Sequence, residues 1–345
     1  MRNSQSKLVA VLLVALVGLL CVVAMLDNHA PIPPATEPST SASTLTSTTA
    51  STPPTTLPPE TTVPTTPPTT LPPVTEPDWT TVPEDRVITA QKAFVYDCDA
   101  KNFVHLIGDP QEPLYPASIT KLITAFTVLQ YLSPEEILTV GDELDLVPWD
   151  SSVAGLQKGD SLPVDRLIEG MMLPSGNDAA NTLAVGAGRL IAEDDSLPAA
   201  DAIKAFMKEM NRTAKAYGMS DSHFTTPDGY HDPDHYTTME DLATLGLLIL
   251  DMPEVLKYTN LPSDQIALDE TRILDWKNTN ALIHPESEVY CSAAVGLKTG
   301  QHSAAGKCLL SAFRFNGKTV LIGVFGCADD PERFADTLQL LQLCT

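Results

Sequence analysis

Ser118 and Lys121 stand three residues apart in Ser118-Ile119-Thr120-Lys121, at the start of a segment whose apolar spacing predicts a helix over 118–132. Residues three apart share a helix face, so the Lys121 amine can reach the Ser118 hydroxyl. A serine hydroxyl attacks only once a base takes its proton. A lysine can be that base only where burial or a neighbouring positive charge lowers its pKa. The tetrapeptide alone is weak evidence, because Ser4-Gln5-Ser6-Lys7 repeats the spacing near the N-terminus. Ser175-Gly176-Asn177 follows Pro174 between two predicted helices and by itself reads as a helix cap. Lys298-Thr299-Gly300 lies on a late predicted strand and by itself reads as an exposed strand end. Lysine beside threonine can also hold a carboxylate, and glycine lets a ligand approach the strand closely.

Taken together and in this order, a Ser-x-x-Lys at a helix start, a Ser-x-Asn in an interhelix turn and a Lys-Thr-Gly on a late strand form the active-site set of penicillin-recognising serine enzymes. Neither Ser-Gly-Asn nor Lys-Thr-Gly recurs in the chain. Over nearly all of 87–345 the sequence resembles the low-molecular-mass penicillin-binding proteins, the serine-type D-alanyl-D-alanine carboxypeptidases. The matching phrases are Glu112-Pro113-Leu114-Tyr115-Pro116-Ala117-Ser118-Ile119-Thr120-Lys121, Leu173-Pro174-Ser175-Gly176-Asn177-Asp178-Ala179-Ala180 and Gly296-Leu297-Lys298-Thr299-Gly300. Thr226-Pro227-Asp228-Gly229-Tyr230 and His235-Tyr236-Thr237 resemble the family's loop after the helical region, with Asp228 where a histidine is commoner.

The resemblance implies removal of the terminal D-alanine from a peptidoglycan stem peptide ending in D-Ala-D-Ala, with β-lactams as inhibitors and no metal or organic cofactor. It assigns Ser118 as nucleophile, Lys121 as its base and Ser175 as proton relay. Asn177 would hold the substrate amide and position Lys121. Lys298 and Thr299 would bind the terminal carboxylate, the charge of Lys298 helping to keep Lys121 neutral. Gly300 would admit the substrate, and the backbone N–H groups of Ser118 and Gln301 would hold the oxyanion. A class A-like β-lactamase is the nearest rival, but its Glu-x-x-Leu-Asn loop is absent between Asn177 and Lys298. A non-catalytic wall-associated relative is another.

The elements that must position these residues are legible from periodicity. A hairpin is expected from strands at 87–97 and 102–107, then helices at 163–172, 178–190, 199–217 and 239–250. Strands follow at 294–299, 307–315 and 319–326, the last two joined by the hairpin dipeptide Asn316-Gly317, and a helix at 331–343 ends the chain. Strands at both ends with helices between imply an α+β fold, an antiparallel sheet of about five strands flanked by helices, with an all-helical subdomain. The family's β-rich second domain and C-terminal anchor are not expected here.

Ahead of this domain, Arg2 and Lys7 precede the uncharged apolar run 8–26, just long enough to span a bilayer with residues 1–7 cytoplasmic. Cleavage as a signal peptide is the alternative. Residues 27–86 are dominated by Thr, Pro and Ser and read as an extended, disordered spacer. The catalytic domain at 87–345 is then extracytoplasmic. With 44 acidic against 21 basic residues and a formal charge of −23, nucleic acid is excluded as a partner.

Cys98, Cys291, Cys308, Cys327 and Cys344 follow the apolar run, an odd number. Cys308 and Cys327 flank the Asn316-Gly317 turn at near-equivalent positions, where a disulfide would fit. His231 and His235 have metal-ligand spacing, but Pro233 between them argues for a hydrogen-bonding loop. Trp149 and Trp276 read alike as packing or cleft-wall aromatics.

Overall fold

The structure is a computed structural model that describes residues 86–344. The expected anchor at 8–26 and, but for Arg86, the 27–86 spacer lie outside the described residues. Among the described residues no helix is long and apolar enough to cross a membrane.

Five antiparallel strands form one sheet: β1 (Lys92–Asp97), β2 (Asn102–Ile107), β7 (Ala294–His302), β8 (Gly306–Phe315) and β9 (Lys318–Cys327), in the order β2-β1-β9-β8-β7. The N-terminal hairpin is thus completed by strands from the far end of the chain, as their alternating patterns lead one to expect. Asn316 and Gly317 both have positive φ, +49° and +75°, which a two-residue turn between right-twisted strands requires.

Alternation with period two splits the sheet's side chains cleanly. Phe94, Leu310, Ala312, Leu321 and Phe325 face the core shared with the helical lobe. Ala93, Val95, Leu309, Phe313, Val320, Ile322 and Val324 face the opposite core, which contains Phe334, Leu338 and Leu341 of the C-terminal helix. Both faces are buried, and this is why the strands read as nearly continuous apolar runs.

Seven α-helices are described: α1 (Lys121–Val128), α2 (Val164–Met172), α3 (Asn177–Ala192), α4 (Ala199–Ala216), α5 (Met239–Leu250), α6 (Pro253–Thr259) and α7 (Asp330–Gln342). The first departs from the expected 118–132. Ala117 takes a left-handed φ of +48°, and Ala117–Thr120 form a 3-10 turn before α1 begins at Lys121. Ser118 is therefore held in a tight turn, while the helix ends at Val128 with turns carrying the chain to Ser133-Pro134.

The strand expected from 87 begins at Lys92 instead. The amides of Thr89 and Ala90 donate to the Asp336 carboxylate of α7, at 3.0 and 2.8 Å, so they are unavailable to a sheet ladder. The supposedly all-helical middle also holds two small two-stranded antiparallel sheets, β3 (Ile137–Thr139) with β4 (Ser161–Pro163) and β5 (Ser263–Ala267) with β6 (Ile273–Lys277).

No disulfide joins Cys308 to Cys327: all five described cysteines are free. Cys308 Sγ donates to the Ala305 carbonyl and Cys327 Sγ lies 3.8 Å from Asp336 Oδ2, each thiol being absorbed into its own surroundings. Burial pushes their pKa values up, to about 11 and about 12, so neither is an activated nucleophile.

Candidate active site

The turn bearing Ser118 is clamped between two stretches of backbone. A Cβ on Gly229 would lie 1.9 Å from the Ala117 carbonyl oxygen, and one on Gly300 would lie 2.6 Å from that of Pro116 and 3.2 Å from the Ser118 nitrogen. Only glycine permits either approach. β7 thus passes directly beside the nucleophile, and as the last strand in the sheet order it has one edge unpaired with any strand.

Lys121, fully buried at the start of α1, makes three contacts through Nζ: Ser118 Oγ at 2.9 Å, Asn177 Oδ1 at 2.7 Å and the Asp228 carbonyl oxygen at 2.9 Å. Burial lowers its pKa to about 8, against the opposing influence of the Asp228 and Asp178 carboxylates. A neutral amine has two hydrogens and one lone pair. Asn177 Oδ1 and the Asp228 carbonyl can only accept, so they take both hydrogens and leave the lone pair directed at the Ser118 hydroxyl. The arrangement is that of a base poised on a nucleophile.

Asn177 opens α3, and its Nδ2 donates to Ser151 Oγ at 3.0 Å, which fixes the amide with its oxygen toward Lys121. Ser175 is held at a φ of +63°, its backbone oxygen accepting from Ser152 Oγ at 2.7 Å. Among the described residues nothing engages the Ser175 hydroxyl. The 150s loop is pinned to α3 by the Asp178 carboxylate, which accepts from the amides of Ala154, Gly155 and Leu156 at 2.7, 2.9 and 3.0 Å.

On β7, Lys298 is only 2% exposed, yet Nζ donates merely to the Thr299 carbonyl at 3.3 Å and pairs with no carboxylate among the described residues. Its pKa is driven well down by burial, then by Lys121 and Arg333. Burial is the main cause that depresses Lys121, and repulsion between Lys121 and Lys298 adds to the depression of Lys298. Thr299 Oγ1 shares a 2.5 Å hydrogen bond with Thr279 Oγ1. The Gln301 side chain is exposed and accepts from Lys307 Nζ.

Four participants carried no signal as site residues in the sequence: Ser151, Ser152, Thr279 and Arg333. Arg333 Nη1 donates to the carbonyls of Gly300 and Cys308 at 3.4 and 3.3 Å, bringing a third cation to the site from α7. Only the closing of the sheet places α7 there, so no local motif could reveal it. Of the histidines, His235 is buried, its Nδ1 accepting from the Thr225 amide and its Nε2 donating to Thr120 Oγ1 at 2.8 Å. The two tryptophans also part: Trp276 is buried and donates to the Ala154 carbonyl at 2.7 Å, whereas Trp149 is 96% exposed.

A family model described as D-alanyl-D-alanine carboxypeptidase matches residues 79–328. The D-alanyl-D-alanine carboxypeptidase DacF of Bacillus subtilis is 26% identical over 234 residues, covering 67% of this chain and 56% of the relative. The D-alanyl-D-alanine carboxypeptidase of Streptomyces sp. (strain K15) is 32% identical over 235 residues, covering 65% and 76%. The crystal structure of the Streptomyces K15 DD-transpeptidase aligns with a TM-score of 0.66 at 27% identity, covering 74% of this chain and 97% of that one. The chain spans from about half to three quarters of the length of these curated relatives.

Proposed function

This chain belongs to the serine-type D-alanyl-D-alanine carboxypeptidase family, and we propose that it removes the terminal D-alanine from peptidoglycan stem peptides ending in D-Ala-D-Ala. The observation that carries the reading is Lys298, a buried amine with no carboxylate partner among the described residues, on the strand whose Gly300 lies against the turn of a serine already held by its base. A buried unpaired charge is costly, and an anion arriving there relieves the cost. The terminal carboxylate of the substrate supplies that anion and Thr299 Oγ1 a further hydrogen bond, which sets the preceding carbonyl over Ser118.

Lys121 then takes the Ser118 proton as Oγ attacks the carbonyl between the two D-alanines. The backbone N–H groups of Ser118 and Gln301 hold the oxyanion, each donor worth about 3 kcal/mol in comparable sites. Gly300 keeps β7 close enough to do so. As the intermediate collapses, Ser175, whose hydroxyl is unengaged among the described residues, passes a proton to the departing amine and D-alanine leaves. Asn177 holds Lys121 through Oδ1, and the second hydrogen of Nδ2 is free for a substrate carbonyl. Water attacks the remaining ester and frees Ser118. β-Lactams, which carry a carboxylate and a reactive amide, acylate the same serine and inhibit.

Likeness to a DD-transpeptidase supports a second outcome from the same ester, attack by an amine of another stem peptide in place of water. For location, we read residues 8–26 as a single-pass anchor with 1–7 cytoplasmic, 27–86 as a spacer and 87–345 as the extracytoplasmic catalytic domain. The uncharged apolar run behind Arg2 and Lys7 supports this.

The test is D-alanine release from a synthetic stem peptide ending in D-Ala-D-Ala, with Ser118→Ala as control and fluorescent penicillin as a label for Ser118. Release and labelling that both vanish in the control bear the proposal out. Stable labelling without release moves the chemistry to another bond, and a folded protein that takes no label sinks the Ser118 assignment.

A further inference from the structure

Lys121 depends on two fixed acceptors, and they are held in different ways. Asn177 Oδ1 is fixed by the bond its own amide makes to Ser151. The Asp228 carbonyl belongs to residues 224–230, which form no helix or strand, so whatever holds that loop also sets the direction of the Lys121 lone pair.

Two threonines four residues apart fasten the loop, Thr120 in the 3-10 turn and Thr124 in α1. Thr120 Oγ1 meets His235 Nε2 at 2.8 Å, and Nδ1 of the same ring accepts from the Thr225 amide at 3.1 Å. Asn211 of α4 grips the start of the loop, bonding the carbonyl and the amide of Phe224 at 2.7 and 2.9 Å. Thr124 is fully buried, and its Oγ1 lies 2.6 Å from the Pro227 carbonyl oxygen, 3.3 Å from that of Thr120 and 3.6 Å from Met210 Sδ. A helical threonine ordinarily turns its hydroxyl back to the carbonyl four residues earlier, here Thr120. A hydroxyl has one hydrogen, and the shortest distance assigns it to Pro227. The Pro227 carbonyl is buried and accepts from no other donor among the described residues. Apart from Lys121 itself, Thr124 makes the hydrogen bond from outside the loop that lies nearest in sequence to the Asp228 carbonyl.

We propose that Thr124 is a positioning residue for the acylation of Ser118: through the Pro227 carbonyl it holds the Asp228 carbonyl against Lys121, and so keeps the lone pair of the amine on the nucleophile. The proposal rests on the reading of Lys121 as the base. With both acceptors in place the two hydrogens of the neutral amine are committed and its lone pair has one direction. With the Asp228 carbonyl withdrawn, the amine turns about its remaining bond to Asn177 and faces Ser118 only part of the time. The loss falls on the rate of the neutral form and not on how much of it is present. A carbonyl at hydrogen-bond distance favours the ammonium form, so withdrawing it moves the Lys121 pKa down, not up.

The experiment measures the second-order rate of labelling of the full chain by fluorescent penicillin from pH 6 to 10, together with Tm, for the parent, Thr124→Val and Thr124→Ser. Valine keeps the branched shape but sets a methyl group where a hydroxyl stands at hydrogen-bond distance, so the Pro227 carbonyl must withdraw. We expect the rate plateau at high pH to fall about tenfold in Thr124→Val, with its midpoint at or below the parent's, which lies at about 8. Serine restores the hydroxyl, so its plateau should stay within about threefold of the parent's even where the missing methyl lowers Tm. Thr124→Ala removes the hydroxyl without crowding the carbonyl and gives the same reading where the valine variant does not fold. A merely structural role would lower Tm and leave the plateau unmoved. A hydroxyl-free variant with a plateau within about twofold of the parent's, a midpoint moved upward, or a serine loss as deep as the valine loss would refute the positioning role alone. A parent profile flat from pH 6 to 9 would refute Lys121 as the base, and the positioning role with it.

Discussion

Replacing Asn177 with aspartate tests the account of Lys121 most directly. Burial holds Lys121 at a pKa of about 8, so about one tenth of it is neutral at pH 7 and about nine tenths at pH 9. Acylation of Ser118 should rise about tenfold over that interval. Asn177→Asp places a formal negative charge where Oδ1 now stands, 2.7 Å from Nζ. A carboxylate at close range favours the ammonium form and raises a pKa by roughly 1–3 units. Acylation at pH 7 should therefore fall about 10- to 1000-fold and recover as pH rises, with its midpoint well above 8. Asn177→Ala removes the acceptor but adds no charge, so its midpoint should stay at or below the parent's. The assay is the second-order rate of labelling by fluorescent penicillin between pH 6 and 10, with Ser118→Ala as blank. A parent profile flat from pH 6 to 9, or an Asn177→Asp midpoint no higher than the parent's, would refute Lys121 as the base.

Gly300→Ala puts a methyl group 2.6 Å from the Pro116 oxygen. Because the clash is with backbone, it should displace the nucleophile turn and slow penicillin labelling at least about 100-fold while circular dichroism stays native. Asp336→Ala strips the Thr89 and Ala90 amides and the Arg86 guanidinium of their shared acceptor. Leaving buried donors unpaired should cost about 2–4 kcal/mol, which calorimetry would read as a Tm lower by about 5–15 °C; an unchanged Tm would mean that these residues do not close the sheet. His235, driven down to about 3 by burial, stays neutral in the folded state while the unfolded chain takes up a proton below its ordinary 6.5. Its contribution is present above that value and is lost as pH falls, by about 2–3 kcal/mol at pH 4.5. His235→Gln should lose correspondingly less stability between pH 7 and 4.5, and an equal loss in both proteins would overturn the assignment.

Periodicity and turn chemistry carried most of the fold. The strands at 102–107 and 307–315 and the helix at 239–250 are legible because each buries a face against a sheet or helix neighbour, so its apolar spacing is uninterrupted. Elements set by contacts distant in sequence were not legible. Residues 87–91 look like strand but give two amides to Asp336, and β5–β6 is too short and too polar to declare itself. The same division runs through the site. Ser118, Lys121, Ser175, Asn177, Lys298 and Thr299 lie in three short phrases that the fold gathers, whereas Arg333 and Thr279 enter only through tertiary packing. The left-handed φ of Ala117, which makes the nucleophile turn tight, is likewise invisible in a residue that ordinarily favours helix.

The charges in the cleft form a coupled set. Three basic side chains, Lys121, Lys298 and Arg333, converge in a chain of formal charge −23; Asp228 and Asp178 act on Lys121, and Asp330 pairs with Arg333 at 2.9 Å. Asp228 and Asp178 oppose the effect of full burial on the Lys121 pKa. Lys298 lacks such support and is the group most in need of an anion. On the proposed reading, the substrate's carboxylate pairs with Lys298 and favours its charged form.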